Sequence, residues 1–306
     1  MPKNSITNGE ALALNNFSPG NQSVQLGDKI SWLMSMNSLP GTTRFADGGV
    51  TISGDGLSWD KAYKTIQEAV AAASAGDTIF VRGEFSLAST IAIDKQLNLV
   101  GENTTNNQYV TLIYGSGAYP LITVKANNCK IFNCGFAQMA AQNTIQIGDA
   151  NAQNWYKLHI SNCKFDGWGT STGGVHAFHT TVDAPDTTID NCLFRSFAGD
   201  CILSNWTRAR IDNNIILVEA SLSGITHTPN AGDRPDTIIS NNIIVGVNSG
   251  DTGIELSGTP TAGTLIAYEN KIFNCATSIT QAATNVAVQF NYVNDGAGGA
   301  LIDPIA

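Results

Sequence analysis

The chain has 306 residues, a formal net charge of −9 and only 13% charged residues, against roughly 25% in an average soluble domain. The apolar fraction is an ordinary 42%, and the missing charge is made up by 30 Asn, 30 Gly and many Ser and Thr, residues that favour turns over helix interiors. This balance argues against a mainly helical protein and, with no cluster of Lys and Arg, against a nucleic-acid partner; no run approaches the roughly 18 apolar residues of a membrane span.

Residues 1–45 hold no repeat and read as an arm for anchoring or oligomerisation. No apolar segment in residues 1–17 marks a secretory signal. Within the arm Asp28 is a candidate N-cap, with Ile30, Leu33 and Met34 on one face of a short helix. From residue 46 the chain reads as a capping helix and a solenoid. Ala62, Ile66, Ala69, Val70 and Ala73 recur at helical spacing, which predicts an amphipathic helix of about four turns. Ser58 or Asp60 is its expected cap, and Gly76 its end. Asp77-Thr-Ile-Phe-Val-Arg-Gly83 then reads as a strand running into a turn.

Beyond that point the chain repeats itself. Ile131-Phe-Asn-Cys-Gly-Phe136 returns as Ile160-Ser-Asn-Cys-Lys-Phe165 and Ile189-Asp-Asn-Cys-Leu-Phe194. It continues as Ile211-Asp-Asn-Asn-Ile-Ile216 and Ile239-Ser-Asn-Asn-Ile-Ile244, with looser copies at Ala267-Tyr-Glu-Asn-Lys-Ile272 and Val288-Gln-Phe-Asn-Tyr-Val293. The spacings are 29, 29, 22, 28, 28 and 21 residues, and Leu97-Asn-Leu-Val-Gly-Glu102 is an earlier, diverged rung. Each unit reads as the end of one short strand, a tight bend and the start of another, with Asn suited to a left-handed bend. Units of this length cannot bury a face alone. Stacked about 4.8 Å apart they build parallel sheets, so the expected fold is all-β, a right-handed parallel β-helix with an N-terminal amphipathic capping helix. A leucine-rich repeat would need a Leu frame and steady length that are missing.

The fourth position of the unit is Cys134, Cys163, Cys192, Asn214, Asn242, Asn270 and Asn291. One shared column makes these a buried structural ladder, and it argues against three disulfides among the six cysteines. No C-x₂-C pair marks a zinc site, and no motif for another metal or a cofactor is present.

The run Gly54-Asp-Gly-Leu-Ser-Trp-Asp-Lys-Ala-Tyr-Lys-Thr-Ile-Gln-Glu-Ala69, then Ala75-Gly-Asp-Thr-Ile-Phe-Val81 and Leu97-Asn-Leu-Val-Gly-Glu102, resembles the N-terminal coils of pectate-lyase-like β-helix proteins. The Asn-Asn-x-Ile repeats and Asp303-Pro304 are similar to the same superfamily. That resemblance implies the fold and leaves function open among pectate lyases, pectin esterases, polygalacturonases and bacteriophage tailspikes. The paired-Asp, His-Gly and Arg-Ile-Lys motifs of polygalacturonases are missing: Arg210-Ile211 is followed by Asp212. Calcium and arginine motifs of pectate lyases are missing too, and Asp233-Arg-Pro-Asp236 reads as a turn.

The repeat register also supplies candidates for chemistry. Its second position, Phe132, Ser161, Asp190, Asp212, Ser240 and Tyr268, points outward. Asp190 and Asp212 therefore stand on adjacent rungs, where two carboxylates can raise one pKa for acid–base work; Arg210 beside them favours a solvated ion pair instead. His176 is expected outside, in a column with Gln146, Leu203, Thr226 and Glu255. His227 is expected in the core, and His159 carries no signal. No catalytic residue follows from these. Trp155, Tyr156, Trp168 and Trp206, at coil edges, suit sugar rings or a trimer interface, with the low-charge sides favouring three β-helices packed side by side. The composite expectation is a non-enzymatic bacteriophage structural protein, a homotrimeric capsid decoration, spike or fibre component meeting other virion proteins through residues 1–45. The alternative is a secreted polysaccharide-degrading enzyme or a carbohydrate-binding β-helix.

Overall fold

A computed structural model of the chain describes residues 41–102, 111–148, 156–177, 184–219, 222–229, 236–247, 250–258, 264–282, 286–294 and 300–302. Residues 1–40, Trp155, His179, the Asp233-Arg-Pro turn and Asp303-Pro304 lie outside the described residues.

The chain winds through three strands per coil, and each strand pairs in parallel with its counterparts one coil before and one coil after. The first face runs from Thr43–Asp47 through the first half of Thr78–Ser86, then Asn98–Gly101, Lys130–Phe132, His159–Ser161, Thr188–Asp190, Arg210–Asp212, Thr237–Ser240 and Leu265–Tyr268 to Val286–Gln289. The second face follows each bend and ends at Asn291–Asn294, closed by the antiparallel strand Ala300–Ile302. The third is an eight-stranded sheet from Ile91–Ile93 to Thr277–Gln281. This is a parallel β-helix, and it is right-handed, the hand that parallel crossovers take in about 98% of cases. Three residues of the expected arm, Thr43 to Phe45, belong to its first strand.

Sequence register and spatial register coincide. Ile131, Ile160, Ile189, Ile211 and Ile239 stack as one inward column on the first face, all at most 1% exposed. On the second face Phe136, Phe165 and Phe194 stack with ring centroids 5.1 and 4.6 Å apart, then give way to Ile216, Ile244 and Ile272. The large ring accompanies Cys134, Cys163 and Cys192, and the smaller aliphatic accompanies the asparagines, so the interior volume of each coil is balanced locally.

The bend between the first two faces has its own column. Asn133, Asn162, Asn191, Asn213 and Asn241 all have φ between 52° and 58°, as do Glu269 and Phe290 at 55° and 52°. Left-handed backbone is cheapest for Gly and Asn, which explains the repeated Asn. The next residue points inward and links coils. Asn242 Nδ2 donates to Ile211 O and Asn270 Oδ1 at 3.0 and 2.9 Å, and its Oδ1 accepts from Asn214 N at 3.0 Å. Asn214, Asn270 and Asn291 repeat that pattern. The thiols above them continue the column with weaker contacts, Cys163 to Ser161 O at 3.3 Å and Cys192 to Asp190 O at 3.1 Å. All six cysteines are free and buried, and burial pushes the Cys134 and Cys192 thiols well up from their ordinary value.

The helix is shorter than its apolar spacing predicts. It spans Ile66–Ala72, and Thr65 caps it through a reciprocal capping box with Glu68. Ser58 instead precedes a single 3₁₀ turn, Trp59–Lys61, without a side-chain cap bond. Ala62 and Tyr63 are withdrawn from the helix because their backbone is engaged elsewhere: Asp47 N donates to Tyr63 O, and Tyr63 N to Phe45 O, at 2.9 and 2.8 Å. Gly76, at φ 92°, lies in the following turn, and Ala73 closes the helix in extended backbone. Ile66, Ala69 and Val70 are its buried face.

Replacing Asn242 with Ala leaves Asn214 N without its side-chain acceptor and removes the second donor to Ile211 O. Urea unfolding is expected to show a loss of about 1–3 kcal/mol, the cost of one buried group left without a partner.

Candidate functional site: a carboxylate column on the first face

The outward column next to the isoleucines holds, in register, Phe132, Ser161, Asp190, Asp212, Ser240 and Tyr268. The two carboxylates therefore occupy neighbouring strands, one rung apart. They are not free to act as a pair. Asp190 accepts Asn191 Nδ2 at 3.2 Å and a short hydrogen bond from Ser161 Oγ, and His159 Nε2 lies 3.0 Å from its other oxygen. Asp212 accepts four bonds: Ser240 Oγ at 2.6 Å, Asn241 Nδ2 at 3.0 Å, Asn213 Nδ2 at 2.9 Å and Arg210 Nη2 at 3.0 Å. The serine below one carboxylate and the serine above the other bracket the pair along the column.

This arrangement sets the electrostatics. Burial raises the Asp190 carboxyl, but His159, Ser161 and Asn191 favour the ionised form and hold its pKa below the usual range. Burial likewise acts on Asp212, and the donors Ser240, Asn241 and Arg210 outweigh it, again lowering the value. The ion pair with Arg210 that the sequence favoured forms at Asp212; the alternative, that stacking raises one pKa, is corrected, because each carboxylate has its own donors and hydrogen bonds to the charged form prevail. Neither group is a proton donor near neutrality. His159, Asp190 and Ser161 are also not a nucleophilic triad: the serine gives its hydrogen to the carboxylate, so no imidazole is in line to take it.

His159 is the member that sequence reading missed. It stands beside inward Ile160, on the outward side of the strand, with its ring edge-on to Phe132 at 4.9 Å. The same alternation that placed Asp190 would have placed it.

The remaining candidates are dispersed. His176 pairs in register with Gln146 and Leu203, but it is buried, with Nε2 2.6 Å from Asp200 O. The surface position expected for it is corrected: the chain around Asp200 covers it, and burial lowers its pKa. His227 is fully buried, its Nδ1 2.7 Å from Ser204 Oγ and its Nε2 without a partner among the described residues; burial lowers its pKa to about 3. Trp206 lies in the connection between Ile202–Ser204 and Arg210–Asp212, as expected, but is wholly buried. Tyr156 and Trp168 are exposed, but Tyr156 precedes the first face and Trp168 follows the second, so these two do not share a face. Among the described residues no three His, Cys, Asp or Glu side chains converge as a metal would require. None of the helices among them is long and apolar enough to cross a membrane.

Fold and site together define a parallel β-helix protein in which the stacked carboxylates Asp190 and Asp212 are engaged by hydrogen bonds. No family model matches the chain, and no curated protein matches it. Among solved structures it is similar to a rhamnogalacturonan lyase, at 10% identity and a TM-score of 0.44, covering 86% of this chain and 90% of that one. It is also similar to pectate lyase Pel9A, at 12% identity and a TM-score of 0.43, covering 84% and 81%.

Acid is expected to weaken the fold through both kinds of group. Carboxylates lowered in the folded state stabilise it above their unfolded value of about 3.9, and that contribution is lost as pH falls through the folded values. Unfolded histidine takes a proton near 6.5 but folded His227 only at about 3, so stability also falls as pH drops between those values. In urea titrations from pH 7 to pH 4, the stability difference between wild type and His227→Gln should shift against the wild type by up to about 1.4 kcal/mol per pH unit.

Proposed function

We propose that this protein is a non-enzymatic structural β-helix, and that its setting is the exterior of a bacteriophage particle as a capsid decoration, spike or fibre component. The observation that carries the non-enzymatic part is the state of Asp190 and Asp212. A general acid needs a raised pKa and a nucleophile needs a free lone pair facing a substrate. Here both carboxylates are lowered and engaged by side chains of their own and adjacent coils. Ser240 is fully buried and Asp212 nearly so, so the column works as a clamp between coils. The low charge and the resemblance of the repeats to a superfamily that includes tailspikes support the phage setting.

A second reading, a carbohydrate-active protein, is favoured by one feature: His159 is 38% exposed in its side chain while touching Asp190, which leaves an imidazole at the surface beside a carboxylate. The two readings separate on one experiment. Purified protein is incubated with capsular and plant polysaccharides, and reducing ends and unsaturated products are measured. No release is expected, and Asp190→Asn and Asp212→Asn should lower the melting temperature. Product release abolished by Asp190→Asn would establish the enzyme instead, and release untouched by either substitution would place chemistry elsewhere. For the phage setting, the protein should co-sediment with intact particles and be labelled on their surface by antibody.

A further inference from the structure

The third face differs from the other two in its charge. Its eight strands hold no Lys or Arg, and their one carboxylate is Glu255. The outward column runs in register through Gln146, His176, Leu203, Thr226, Glu255 and Thr280. More carboxylates stand at the corner that leads into this face: Asp200, Glu219 and Asp251. They surround one thiol, since burial pushes Cys201 up from its ordinary value and these three charges add to the shift.

Ser223 ties the corner to the face. Its N donates to Asp200 Oδ1 at 2.9 Å, and its Oγ to Glu255 Oε2 at 3.2 Å. Asp200 Oδ2 and Glu255 Oε1 keep no hydrogen bond among the described residues, and neither carboxylate has a Lys or Arg partner among them. Thr226 is the in-register neighbour of Glu255, next to inward Ile225. It is 7% exposed and points outward, and its Oγ1 has no partner among the described residues. A buried hydroxyl left this way is costly, and here it faces the strip that holds Glu255. Leu203 and Glu255, on either side of it, are only half-buried, so the strip is open to a ligand. His176, the one basic group of the column, stays neutral because burial lowers its pKa, so it places no positive charge there.

We infer that this strip binds a short linear diamine, one primary ammonium group meeting Glu255 and Thr226 and the other meeting Asp200. The inference goes beyond the structural reading and does not depend on it. An ammonium group carries three donors and no acceptor, the complement of open carboxylate oxygens and a hydroxyl. A guanidinium prefers both oxygens of one carboxylate, and Ser223 already occupies one oxygen of each. Two carboxylates joined through a single residue suit two charges on one flexible chain. Glu219 and Asp251 add to the negative field at the corner, which draws cations to the strip.

The full chain is titrated with putrescine by isothermal calorimetry at fixed ionic strength, and thermal melts are recorded in parallel. Saturable one-site binding and a raised melting temperature are expected, because a ligand of the folded chain stabilises it. Tetramethylammonium, which has charge but no N–H, should bind about tenfold more weakly, as should Glu255→Gln and Asp200→Asn with putrescine, each having lost a charge-assisted bond. Thr226→Val should melt no lower than wild type without amine, yet bind putrescine about threefold more weakly. That variant and the tetramethylammonium comparison decide the matter even if a carboxylate variant fails to fold. Equal binding of tetramethylammonium overturns the inference, as does putrescine binding untouched by Glu255→Gln, or no binding at millimolar putrescine. A Thr226→Val protein with lowered melting temperature and unchanged affinity also overturns it, by making the hydroxyl a group of the fold alone.

Discussion

Every coil of this protein must turn corners, and at each corner the backbone leaves the sheet that satisfied it. An unpaired buried amide or carbonyl is expensive, so the stack exists only if the corners find partners. Here one residue takes the left-handed bend, as at Asn213 or Asn241. The next turns its amide inward to bridge three coils, as Asn242 does with Ile211, Asn270 and Asn214. Because the bridge demands identical height and phase in successive coils, it also aligns the isoleucine and phenylalanine columns beside it. Packing of the core follows from registration of the corner.

The same registration produces the polar cluster on the outside. A residue two places from the ladder repeats at one strand spacing, so any carboxylate there has vertical neighbours at hydrogen-bond range. Ser161 meets Asp190, and Ser240 meets Asp212, for that reason alone. The bend asparagines Asn191, Asn213 and Asn241 then reach outward to the same carboxylates. Binding a carboxylate this completely stabilises its charge and removes its basicity, and the two consequences cannot be separated. A solenoid that needs Asp212 as a clamp between coils cannot also use it as a proton carrier.

The β-helix was legible because its signal is arithmetic: a unit recurring every 21–29 residues with apolar, Asn and Cys positions in fixed places. Strand pairing from Ile131 to Val288 follows those alignments residue by residue. The helix was legible in its apolar face but not in its length, since spacing cannot show that Tyr63 bonds to the first strand and Ala62 to Gly54. Thr65 and Glu68 did carry the true start, as the Thr-x-x-Glu of a capping box. In the candidate site, Asp190 and Asp212 were placed correctly as neighbours. The ion pair of Arg210 with Asp212 was legible too, but the further donors were not: His159 and Asn241 reach the carboxylates across coils, and Asn191 from the neighbouring bend position.

What the sequence alone determined is therefore the period, the columns and the two sides of each strand, all of which are one-dimensional properties of a repeating chain. What only the tertiary structure decided is exposure. An outward position is open or covered according to the connection that crosses it, and these connections vary in length from coil to coil. His176 and Trp206 were assigned to the surface and are buried, while Ile215 and Ile243, ordinary strand residues by pattern, are exposed. Alternation says which way a side chain points; the fold says what lies in front of it.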